Sequence, residues 1–453
     1  MGSQPSECRI PGQPPELPGR LPVLGHGLKM VRGPVAFGEL LASTGPVAEV
    51  YVGRRPVVAV TSSRLMREIL VAHEKSFEKG YIFDKARPAL GNGLFTSEGE
   101  FHRKQRKLLR PEFRHERIEG CSETLRARVS AVSRSIRDGD VFDFAGLASE
   151  LTLGAFFDTM IPELGSLSST QLDEISSMAH DVIRNFLVRT LYPYSWMEKI
   201  PISPNRRFER GLRVMKCYID RILAEDSEDK HVRGSLVGRL IDTSDAKNAT
   251  EARRWASDEL ASLILASGTP ATVMAWLFYE LARHPEVERK LRDEIGRARH
   301  AGADSPQIGH ELEYTDSVLN ETMRLHTPNW FLMRRCCEPV RLGNYEFETG
   351  TEFLFSLTQL HRDPASYHDP DRFDPNRWTG GLMRRLPPGS FIPYGAGSHR
   401  CIGADLARSL CIAITTTLVD QWHFQLPKSY RPRIDPLHPL LALRTLPVTA
   451  RAR

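Results

Sequence analysis

Phe391-Ile392-Pro393-Tyr394-Gly395-Ala396-Gly397-Ser398-His399-Arg400-Cys401-Ile402-Gly403 is the stretch that decides how this chain folds and what it does. A thiolate persists only when something compensates its charge. Cys401 stands just before an expected helix over 404–422, with His399 and Arg400 beside it. Helix-end amides and cationic neighbours lower a thiol pKa. Gly395, Gly397 and Gly403 let the backbone approach a flat, bulky partner. Read alone, the loop also suits a structural cysteine, so the choice depends on other segments.

Bulk properties leave room for a large folded core: 41% of the 453 residues are hydrophobic and 26% are charged. A net charge of +5 does not call for nucleic acid as a partner. No window reaches about eighteen uninterrupted apolar residues, as a membrane anchor requires. The start, Met1-Gly2-Ser3-Gln4-Pro5-Ser6, lacks the basic residues and apolar block of a signal peptide. The expectation is a cytoplasmic protein. Seven cysteines in so long a chain do not form a disulfide framework. Cys217 and Cys411 read as small buried hydrophobes.

Residues 1–22 are rich in proline and read as an extended lead-in, followed by a single domain over 23–453. Segments 47–52 and 56–60 flank Gly53-Arg54-Arg55 as a short hairpin. From about 63 to 298 the patterns are mostly helical. A second small β region follows near 340–342, 345–347 and 353–355. The fold class is therefore mainly α with a small β-rich region. Segment 257–283, if continuous, is a helix about 40 Å long. It is apolar on most faces, so it belongs in the interior. Gly268 and Pro270 interrupt it, and Pro270 cannot donate to the carbonyl of Ala266. A kinked central helix with a freed carbonyl is expected; a plain packing kink or two shorter helices fit equally well.

The Cys401 segment resembles the haem-binding loop of the cytochrome P-450 superfamily, aromatic-Gly-x-Gly-x-basic-x-Cys-x-Gly. Tyr394 stands where Phe is usual and His399 where Arg is commoner. Three further segments match the family in order. Glu321-Thr322-Met323-Arg324 is similar to its Glu-x-x-Arg helix, with both charges on one face. Pro375-Asn376-Arg377-Trp378 resembles the later element whose Arg joins that pair. Phe101-His102-Arg103-Lys104-Gln105-Arg106 resembles the helix that sends an aromatic and an arginine towards the haem propionates. His102 stands where Trp is frequent, and Arg106 matches. Arg334 looks like the second propionate arginine.

The resemblance implies one mostly helical domain with a small β side, holding haem b between the central helix and the helix after Cys401. It implies a monooxygenase using O2, electrons from a ferredoxin or flavodoxin with its reductase, and a hydrophobic small-molecule substrate. The general appearance resembles bacterial members that oxidise terpenoids, with fatty acids and polyketides open as substrates. The pocket it implies draws on Phe83, Leu94, Phe186, Leu265, Ala266, Trp330, Phe331, Leu332 and Leu440, each of which, taken alone, reads first as ordinary core. Thr269 takes the place of the family's oxygen-side alcohol. Gly268 replaces the usual Asp or Glu, leaving Ser267 and Thr269 as hydroxyls that relay a proton without storing one. Arg103, Lys104, Arg106, Lys107 and Arg110 form a basic face on one helix, by default a solvated face and by resemblance a docking surface. Two other functions stay open at this point: a haem-thiolate isomerase or dehydratase needing no electrons, and a non-enzymatic binder of haem or hydrophobic ligands.

Overall fold

The computed structural model describes residues 13–192, 194–228, 236–242, 248–300 and 312–453. The lead-in expected over residues 1–22 lies outside them up to residue 12. Its remainder is extended and runs beside the first strand, exchanging Leu17 N–H to Glu49 O and Glu49 N–H to Pro15 O, both 2.8 Å, with Leu17 buried.

Strands β1 (Val47–Val52) and β2 (Arg55–Val60) form the expected hairpin, in register from Val47↔Val60 to Val52↔Arg55. With β3 (Phe77–Glu78), β5 (Phe331–Cys336) and β8 (Glu352–Ser356) they make a sheet ordered β1-β2-β8-β5-β3. Its β2–β8 pair is parallel. The hairpin β6 (Val340–Leu342) with β7 (Tyr345–Phe347) stands apart. A third sheet joins β4 (Val141–Asp143), β10 (Pro447–Ala452) and β9 (Trp422–Gln425).

The site is framed by nine helices: α1 (Tyr81–Leu90), α2 (Gly99–Leu109), α3 (Phe144–Met160), α4 (Ser169–Thr190), α5 (Ser203–Glu228), α6 (Ala249–Ala266), α7 (Thr269–Arg283), α8 (Glu313–Leu325) and α9 (Ala404–Gln421). α3, α7, α8 and α9 share one apolar core; α4, α5 and α6 share a second. The segment Ala249–Arg283 is long and apolar enough to cross a membrane, but most of it is buried inside the protein. That burial is the use its apolar faces find here.

The central helix is not one kinked rod. It breaks into α6 and α7 at Ser267–Gly268, the two-helix outcome. Pro270 then falls in the first turn of α7, where a missing N–H costs no hydrogen bond. Cys411 is buried as expected, but Cys217 is exposed, because the helix carrying it turns that position to solvent.

One buried ionic centre ties the irregular segment before Cys401 to the helical body. Glu321 and Arg324 on α8 are both fully buried. The Glu321 carboxylate accepts from Arg324 Nε (2.8 Å) and Nη2 (2.9 Å), Arg377 Nε (2.9 Å), Trp378 Nε1 (2.9 Å) and the Asp374 amide (2.9 Å). Arg324 uses its remaining N–H groups on the carbonyls of His361, Pro370 and Arg372. His361 carries the link onward: its Nε2 accepts the Ile392 amide (3.1 Å), and its Nδ1 lies 2.7 Å from Thr327 Oγ1. Thr327 Oγ1 already donates to Met323 O, so Nδ1 carries the proton and donates to it. Ile392 opens the cysteine loop.

Burial, reinforced by the Arg324 and Arg362 charges, holds His361 down at about 3. Its unfolded-state value is about 6.5. The neutral ring therefore contributes stability in full above pH ~6.5, lost as pH falls towards 3, where the unfolded chain binds a proton the folded one refuses. The expected loss is on the order of several kcal/mol. Urea unfolding of the wild type and of His361→Leu across this window should show the variant less stable overall, with its pH slope reduced by about one proton. An unchanged slope would mean that His361 is not held neutral.

Candidate functional site

Between Ile392 and α9 the chain makes two tight reversals. Gly395 N–H bonds to Ile392 O (2.9 Å), and Cys401 N–H returns to Tyr394 O (2.8 Å). Gly395 and Gly397 have φ of +73° and +68°, which side-chain-bearing residues rarely adopt. A Cβ on Gly397 would also lie 2.0 Å from Leu70 O. Glycine is required there by sterics. Gly403, by contrast, has φ of −88°, and a Cβ would meet only Phe113 at ordinary contact distance. Glu74 Oε2 accepts the Ser398 amide at 2.7 Å, clamping the loop from a segment 324 residues away.

The Cys401 thiol is hemmed in by protein yet keeps surface that a ligand can reach. Contrary to the sequence expectation, its pKa is raised. Burial outweighs the Gly403 amide and the Arg106 and Arg400 charges, all of which pull the other way. Nor is His399 a cation here: burial, with the Arg334 and Lys79 charges, drives it down to about 2. A thiol in this setting becomes a thiolate when a metal cation takes it as ligand.

Beside the thiol lies a buried basic cluster. The His102 and His399 rings lie against each other at a tilt of 42°, with centroids 4.4 Å apart. Burial takes His102 down to about 3, with Lys79, Arg106, Arg334 and Arg103 adding repulsion. Arg334 on β5 is buried, is pulled to about 10 by desolvation, and donates to Met333 O. Lys79, absent from the sequence reading, sends Nζ to Leu94 O and Ser97 O, both 2.8 Å; burial draws it down to about 7. The nearby acid is Glu98, whose Oε1 accepts the Lys79 amide at 2.6 Å and whose own pKa is raised by burial. His399 Nδ1 is buried without a hydrogen-bond partner. Unpartnered nitrogen, desolvated cations and a reachable thiol together fit a metal complex that carries its own carboxylates, as haem does. Cys401 would hold the iron; Arg106, Arg334, Lys79, His102 and His399 would face the carboxylates.

α6 ends with Leu265 and Ala266, and α7 starts at Thr269. Ser267 Oγ donates to Ile264 O at 2.7 Å. A Cβ on Gly268 would meet nothing within 4 Å, so open space lies where a longer side chain would stand. Leu94, Phe186 and Leu265 are partly buried against one core, and Phe83 packs on Phe95 at 5.1 Å. Trp330 is almost wholly buried beside Phe331, with ring centroids 4.4 Å apart, in the sheet-side core. Leu332 packs in a neighbouring core, and Leu440 bridges to Asn329. Two adjacent acids on α6 hold the loop that carries Leu94: Asp258 accepts the Asn92 amide (2.8 Å) and Glu259 the Leu94 amide (2.9 Å). Neither was legible, because a carboxylate on an apolar helix reads as an ordinary solvated position. On α2, Arg103, Lys104 and Lys107 are exposed, as is Arg110 in the turn just after it, while Arg106 is partly buried, its charge felt by Cys401.

Comparison with known proteins agrees with this geometry. The Cytochrome P450 family profile matches residues 14–450. The chain is 30% identical to cyclooctat-9-en-7-ol 5-monooxygenase of Streptomyces melanosporofaciens, over 90% of this chain and 89% of that one. It is 31% identical to cyclooctatin synthase of the same organism, over 90% and 89%. It is 28% identical to pentalenene oxygenase of Streptomyces avermitilis, over 89% and 90%. With the thiol loop, the buried Glu321 centre and the basic cluster in place, the chain belongs to the cytochrome P450 family of haem-thiolate monooxygenases.

Proposed function

We propose that this protein binds haem b through Cys401 and hydroxylates a terpenoid-sized hydrophobic substrate in the cytoplasm, using electrons from a ferredoxin or flavodoxin and its reductase. The observation that carries this reading is the buried excess of positive charge beside a reachable thiol. Haem supplies the oxygen chemistry when bound, with the thiolate donating electron density towards O–O cleavage. The chain's own residues bind, orient and move protons. Lys79, Arg106 and Arg334 balance the propionates, while neutral His102 and His399 offer N–H donors. The named substrates of the relatives are cyclic terpenoids, and the apolar set Phe83, Leu94, Phe186, Leu265, Ala266, Trp330, Phe331, Leu332 and Leu440 suits such a molecule.

Thr269 is the group at the open space beside Gly268 that passes a proton, with Ser267 held back by its bond to Ile264 O. Water in that space takes over what an acid at position 268 would do. The exposed Arg103, Lys104, Lys107 and Arg110 face suits an acidic electron donor.

Three measurements check the proposal. Purified protein, reduced under carbon monoxide, should give the thiolate-type Soret band, and Cys401→Ser should lose it; a variant that keeps the band moves the ligand elsewhere. Thr269→Ala should lower product formed per NADPH consumed by about tenfold or more, whereas unchanged coupling removes Thr269 from the proton path. Arg103→Glu combined with Lys107→Glu should slow reduction by an acidic ferredoxin at low salt and much less at high salt. An unaffected rate would put docking on another face.

A further inference from the structure

The C-terminal hairpin that carries Leu440 is fixed at its base and inner edge by backbone pairing. Ile434 bridges to Leu443, Asp435 N–H bonds to Ala442 O (3.0 Å), and Leu441 N–H bonds to Pro328 O (2.9 Å). Trp276 on α7 adds its indole N–H to Leu441 O at 2.6 Å. The turn between these bonds has two backbone bonds of its own, His438 N–H to Asp435 O (3.2 Å) and Ala442 N–H to Leu440 O (2.7 Å), and is otherwise held by side chains. Asp435 Oδ1 accepts the Leu437 amide at 3.1 Å. Its Oδ2 lies 3.4 Å from Arg184 Nε and 3.9 Å from His180 Nε2, both on α4. The His438 ring stacks on His180 at 5.6 Å between centroids, and its Nδ1 accepts the Leu440 amide at 3.1 Å. The same α4 carries Phe186. One small cluster therefore connects α4 with the C-terminal turn, two segments far apart in sequence.

We propose that His438 is a positioning residue for Leu440, and that through this hydrogen bond it sets the size of hydrophobic ligand the site accepts. The inference rests on the reading of Leu440 and Phe186 as pocket walls. The chemistry is specific to an acceptor nitrogen, since only the unprotonated Nδ1 can receive the Leu440 amide. Burial, together with His180, holds the ring down to about 4, although Asp435 favours the charged form, so it stays neutral around pH 7. Without that acceptor, the Leu440 amide loses its partner inside a turn, and the leucine side chain is free to shift with it.

The test uses the haem-loaded protein and three variants: His438→Leu, which keeps bulk but no acceptor, His438→Asn, whose side-chain carbonyl can accept, and Leu440→Ala. Two probes are titrated by their optical shifts, phenylimidazole as the compact ligand and dodecylimidazole as the long one. Amide hydrogen exchange is followed in parallel. His438→Leu should speed exchange at Leu440 but not at Leu441, and should change the ratio of the two dissociation constants by about three- to tenfold. His438→Asn should restore both. Unchanged exchange at Leu440 in His438→Leu overturns the positioning role. Faster exchange with an unchanged ratio, while Leu440→Ala does change it, overturns the link to ligand size. A ratio unmoved by Leu440→Ala removes Leu440 from the pocket, and the inference falls with that reading.

Discussion

A single carboxylate, that of Glu321, receives two arginines, an indole and a backbone amide in a place water does not reach. Burying such charges is costly, and their mutual attraction offsets the cost only when every donor and acceptor is matched. Here the match is complete on the Arg324 side, where all five N–H groups find oxygen. The benefit is positional rather than energetic. Residues 361–378 have little regular structure of their own, and their carbonyls are organised by Arg324 and Arg377. His361 then hands that order to Ile392, the first residue of the loop that presents Cys401.

The charge balance around Cys401 gives the site its chemistry. The protein does not make a thiolate by itself, because burial raises the thiol further than Arg106, Arg400 and the Gly403 amide lower it. The same burial keeps His102 and His399 neutral, so the positive charge that faces the site belongs to Lys79, Arg106 and Arg334. Such an arrangement is incomplete without a partner that is cationic at its centre and anionic at its rim. Haem has that distribution, and the thiol keeps the surface through which such a partner can reach it.

Much of this was legible wherever function is written as local spacing. The loop around Cys401, the pair Glu321 and Arg324, and Arg377 each sit in a short motif that resembles a segment of the family, and that resemblance is what made them legible. The β1–β2 hairpin was legible from its own strand–turn–strand pattern. What escaped depends on contacts between distant segments. Glu74 clamps Ser398, Lys79 joins the basic cluster from before α1, and His361 bonds Ile392; none carries a local signature. One expectation failed through competition between effects. The cations near Cys401 were visible in the sequence, but the desolvation that outweighs them was not. For Pro270 the outcome is the two-helix alternative that the sequence left open: the chain ends α6 first and starts α7 with the proline in its opening turn, where the residue is harmless.

The central claim is that the Glu321 centre, acting through His361, holds the cysteine loop in shape. Amide hydrogen exchange in Glu321→Gln tests it most directly, because the substitution keeps size while leaving the buried Arg324 guanidinium and the partly buried Arg377 guanidinium short of a charge, at a cost of about 3–5 kcal/mol. The account expects the Ile392 and Cys401 amides to lose protection together while the interior of α7 keeps its own. Full protection of both loop amides in the variant would contradict it.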